Sequence, residues 1–186
     1  LAKCKQNGST MLAALDSYYS STGQFPQATG TSPSPDAEFA FSANTKPYTV
    51  DDLGALVPDY LRSTPALDDI AVFYTPTRTF TVTAGSSTST EITLTISGSD
   101  DPDGAGTLYT NGGNLQVGDL ISLNGLTSSG WNLNSARITT VTSATSIKIS
   151  NTYGLTGSIS GQSGTLQVAP RVAVKGLVEG CGNFGL

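Results

Sequence analysis

Residues 11–26, MLAALDSYYSSTGQFP, constrain the fold more than any other stretch of the chain. With the residues before them, they set Leu1, Cys4, Gly8, Met11, Leu12, Leu15, Tyr18 and Tyr19 at spacings of three and four, one face of a 3.6-residue helix. Lys3, Gln6, Asn7, Asp16 and Ser17 fall on the opposite face. Gly23 stands where helices commonly end on a left-handed residue, and Pro26 opposes a restart. An ordinary core helix accounts for the stripe by itself. In either case the apolar face needs a partner, and the rest of the chain offers mainly short strands.

From Ile70 the hydrophobic period changes to two. Residues 72–74, 78–83, 91–97, 116–123, 136–141, 146–150 and 165–168 read as strands, and EITLTIS at 91–97 alternates most cleanly. Turn signals separate them at Asp103-Gly104, Asn111-Gly112-Gly113, Asn124-Gly125 and Gly161. So many short strands imply a small barrel or sandwich. The expected organisation is therefore a helix, loop and first strands over 1–83, an inserted β-module over 84–167, and a returning strand with a C-terminal tether over 168–186. The expected fold class is α+β, an N-terminal amphipathic helix packed on an antiparallel sheet with an inserted all-β barrel or sandwich. Before the strands, residues 27–38 read as a polar loop. Thr49 can cap a short helix with Asp51 and Asp52 in its first turn and Leu53, Leu56 and Val57 on its apolar side, ended by Pro58.

The available chemistry is narrow. The chain has no histidine, which removes Ser-His-Asp and Cys-His nucleophile systems and the commonest zinc ligand. The carboxylate pairs Asp51/Asp52, Asp68/Asp69 and Asp100/Asp101 lie in polar loops or at a helix start, so no enzyme is expected. Asp100, Asp101 and Asp103, beside Gly104, form the single candidate calcium loop, a solvated turn being the alternative; no other cofactor is expected. A formal charge of −5, with nine scattered basic residues, argues against nucleic acid as a partner. Cys4 and Cys181, at opposite ends of a charge-poor chain, suggest an oxidising compartment and one disulfide, against two separate buried thiols. Trp131, in a polar stretch, reads either as an exposed contact residue or as a lid over the β-module core.

Tyr18, Tyr19, Gly23, Phe25 and Pro26 resemble the end of the long N-terminal helix in type IV pilins and type II secretion pseudopilins. Residues 48–53 and the run Leu56-Val57-Pro58-Asp59-Tyr60-Leu61 with Pro65 are similar to the segment between helix and sheet in pseudopilins. The leader, the acidic residue and the roughly twenty apolar residues that open that family do not occur in this chain, which suggests truncation or processing. The resemblance implies a pilin-like body and a structural role in a filament. Leu1, Met11, Leu12, Leu15, Tyr18 and Tyr19 would pack the sheet or neighbouring helices. Partners would be copies of the chain or related pilins, and the inner membrane through the missing helix. The location would be the periplasm, then an extracellular filament. The β-module is similar over about 35 residues (117–125, 133–134 and 138–149) to modules of phage tail and bacterial surface proteins, with Ser135 where that pattern usually has Gly. That likeness speaks to fold more than function; the alternative function is a surface or phage-type β-rich module that binds carbohydrate or a cell receptor.

Overall fold

The computed structural model describes residues 1–31, 44–63, 66–97, 115–143 and 145–185. These fall into two compact units. The first comprises described residues up to Pro76 and from Pro170 onward, the second the described residues from Thr77 to Ala169.

The first unit opens with helix α1, Ala2–Thr22. It stops at Gly23, whose φ of 78° is left-handed and whose N–H donates to the Tyr19 carbonyl, a termination that glycine adopts without the Cβ penalty. Four short strands form an antiparallel sheet in the order β1 (Lys46–Pro47), β2 (Ile70–Thr75), β9 (Arg171–Gly176), β10 (Asn183–Phe184). Between β1 and β2 lies the one-turn helix α2, Val50–Leu53, continued by a 3-10 turn, Gly54–Leu56. The Thr49 hydroxyl accepts from the Asp52 N–H, while the Asp52 carboxylate accepts from the Thr49 N–H, a reciprocal capping box. Cys4, Met11, Ala14 and Leu15 of α1 share a core with Leu53, Leu56, Ile70, Val72, Val172 and Val174.

The second unit is a closed antiparallel barrel. Its strands are β3 (Arg78–Ser87), β4 (Glu91–Ser97), β5 (Leu120–Asn124), β6 (Leu133–Ser143), β7 (Ser146–Ser150) and β8 (Ser158–Val168), ordered β3-β4-β7-β6-β5-β8 and closed by β8 against β3. Alternation turns Phe80, Val82, Ile92, Leu94, Ile96, Ile147, Ile149 and Leu166 inward, so side chains fill the interior. Closure leaves no free edge to pair with another chain. Arg78 and Asp119 form a buried ion pair at 3.3 Å.

The expected α+β class is corrected by this architecture. The molecule is mostly β, dominated by the six-stranded closed barrel, and α1 is its single long helix among the described residues. The strands flanking the barrel in sequence are few and short, β1 and β10 having two residues each, so they do not make the pilin-like sheet that the resemblance implied. The barrel takes in all of Arg78–Ser87, so residues 77–83 lie with it. Gly161, expected as a turn, lies inside β8 at φ 65°. There β3 advances from Val82 to Ala84 while its partners shift from Gly164 to Ser160, a bulge rather than a chain reversal.

Candidate functional site

The candidate assembly element is α1 with its covalent tether. Cys4 and Cys181 form a disulfide across a sequence separation of 177 residues. Both cysteines are buried in the core of the first unit. Close packing fixes the tether's surroundings. A Cβ on Gly176 would fall 2.5 Å from the Cys181 sulfur, and the Gly176 N–H donates to the Gly182 carbonyl at 2.9 Å. The Cys4 sulfur lies 3.1 Å from the Asp69 carbonyl oxygen, which also accepts the Leu177 N–H at 2.8 Å. The first turn of α1, the approach to β2 and the segment after β9 therefore meet at one point.

The helix residues singled out from the sequence divide into two groups. Met11 and Leu15 are buried inside the unit, while Leu12 and Tyr18 are half-buried against the same core. Leu1 is 60% exposed, beside Gly180. Tyr19 stacks on Phe25 with ring centroids 4.5 Å apart, and Tyr18 meets Tyr60 edge to face at 5.4 Å. Phe25 in turn approaches Tyr74 at 6.2 Å. The aromatic-Pro exit of the helix is thus one end of a ring cluster that spans α1, the segment after α2, and β2. The Tyr48 hydroxyl, buried beneath it, donates to the Pro26 carbonyl at 2.8 Å. Burial, and then Tyr74, Asp52 and Tyr18, push its pKa above the ordinary tyrosine value, so it remains a donor.

The stripe omitted Ala14, which is buried between Met11 and Leu15, because alanine adds little to an apolar periodicity. Gly8 has a packing role that spacing alone did not reveal: the Phe184 ring of β10 occupies the space a Cβ would need. Trp131 is buried, in a 3-10 turn over the barrel core, with its ring against Gly85. Asp100, Asp101 and Asp103 lie outside the described residues, as do Pro65 and the turn signals at 103–104 and 111–113. Among the described residues, no group of three or more His, Cys, Asp or Glu side chains is placed to hold a metal ion. No helix among them is long and apolar enough to cross a membrane. No protein-family model matches the chain, and no curated protein matches it.

Proposed function

We propose that this chain is a structural subunit, a pilin or pseudopilin, of a type IV pilus-like or type II secretion filament, and that it carries its barrel as a displayed module. The observation that carries the reading is the mechanical construction of α1. The base of the helix is bonded covalently to the segment after β9, and its far end is held by a ring cluster. A subunit that is pulled or packed through its helix needs that helix fixed to its globular part at both ends, and a disulfide resists load where apolar packing slides. The resemblance of residues 18–26 and 56–61 to the pilin families supports the same reading. Met11 and Leu15 are engaged inside their own unit, so contacts with neighbouring subunits fall to Leu1 and the exposed side of α1. The partners are then copies of this chain or related pilins, the location is the periplasm followed by an extracellular filament, and the role requires no catalytic centre.

A second reading, a β-rich module that binds carbohydrate or a cell receptor, draws on the barrel exterior. Thr79, Thr81 and Thr95 are exposed there, and Thr81 sits in register with Ser97 on one side and Thr165 on the other. The codons upstream of Leu1 in the gene separate the two. The filament reading expects a prepilin leader and roughly twenty apolar residues, enough to span a bilayer core. A phage structural gene in that position, without such a segment, rejects it.

A further inference from the structure

A groove of about 620 Å³ runs within the first unit, between the first half of α1 and residues 60–63 and 66–70. That is the size of small-molecule sites. Its deepest residues are Met11 and Ile70, each almost wholly buried, with half-buried Tyr60 and Leu61 beside them. Apart from Ala66, polar groups line the rest, and their charges balance: Lys3 and Arg62 against Asp68 and Asp69.

We infer that this groove binds a neutral saccharide. The Asp69 carbonyl accepts the Leu177 N–H at 2.8 Å, so its side chain leaves a held stretch of backbone. Among the described residues, the carboxylate oxygen Oδ2 has long contacts, 3.6 Å to Lys3 Nζ and 3.5 Å to Asn7 Nδ2. A carboxylate has about four lone-pair sites, and Asp69 is left with capacity for strong donors such as paired sugar hydroxyls. Asn7 and Gln6 add amides that both donate and accept, which suits hydroxyls, themselves donors and acceptors. Met11, Ile70 and Tyr60 supply an apolar surface for the C–H face of a ring, and the Tyr18 edge contact holds Tyr60 in place. An anion would need an excess of cations on the wall, and a free cation an excess of carboxylates. The balanced wall favours neither.

The test is amide-resolved NMR titration of the intact, disulfide-bonded protein with chitotriose, maltotriose and mannotriose. Sialic acid and a Lys-Asp dipeptide serve as charged comparators. At least one trisaccharide should give saturable shifts confined to residues 3–11, 60–63 and 66–70. Asp69→Asn should weaken that binding about tenfold or more, the loss expected for one charge-assisted hydrogen bond, and Asp51→Asn should leave it unchanged. If Asp69→Asn does not fold, Asn7→Ala, on the helix surface, takes its place with the same expectation. The inference is overturned if no trisaccharide gives saturable shifts, if the shifts fall in residues 77–169, if a charged comparator binds the groove more tightly, or if the variant binds as the parent does. None of these results bears on filament assembly, which does not depend on the groove.

Discussion

The Asp52 carboxylate accepts from the Thr29 N–H, the Thr29 hydroxyl and the Thr49 N–H, tying the chain after α1 to the start of α2. Desolvation acts to raise its pKa, but the hydrogen bonds from Thr29 and Thr49 together outweigh it and hold the group below its ordinary 3.8. A depressed folded value means that the stabilisation is present above the unfolded pKa and is lost as pH falls through the folded one. Asp52→Asn should therefore lower stability by about 1 kcal/mol at neutral pH, the usual worth of a helix cap. The loss should vanish below the folded value, as urea midpoints at the two pH values would show. Gly85 makes the opposite kind of demand, since a Cβ there would lie 2.7 Å from the Trp131 ring. Gly85→Ala should overpack the barrel and cost about 1–3 kcal/mol, read as a lower denaturation midpoint. Arg78 and Asp119 are 0% and 5% exposed at the side chain, so Arg78→Met removes the cation beside a buried carboxylate and should cost about 3–5 kcal/mol. Changing both residues to apolar ones of similar size should cost much less.

Among the elements, the C-terminal end of α1 was legible because Gly23 and Pro26 punctuate a clear stripe, and the cleanest strand, β4, is also the best alternator in the sequence. The second half of β3 and the first half of β8 were not legible. Ala84-Gly85-Ser86-Ser87 and Ser158-Ile159-Ser160-Gly161 carry almost no apolar alternation and become strand by pairing with each other. Gly161 signals a positive φ equally well for a turn or a bulge, and only the partner strand decides between them. Asp69 reads from the sequence as part of a polar loop, because the groove exists only once α1 lies beside residues 60–63 and 66–70. The disulfide leads to a prediction about the units. A 177-residue loop is worth about 5 kcal/mol by chain entropy. A folded barrel holds Arg78 beside Val168 and roughly halves the flexible part of that loop, which removes only about 0.6 kcal/mol. Calorimetry with a reductant should therefore show one transition lowered by the loss of the tether, and a second, from the cysteine-free barrel, unmoved. A single shifted transition would contradict this.

For the whole molecule, local periodicity showed strands and one helix but did not show their proportions. Closure of six strands into a barrel depends on which strands pair, and alternation is silent on that, so the α+β expectation gave too much weight to α1 and to a flanking sheet whose outer strands have two residues each. Function is likewise argued from construction: a helix fixed at both ends and a self-contained barrel carried between β2 and β9 in the chain. The most direct measurement is immunogold microscopy, with antibody to the barrel, of surface filaments sheared from cells that carry the gene. The filament account predicts gold repeating along the filaments. Unlabelled filaments, with the protein recovered only as a free monomer, would contradict it.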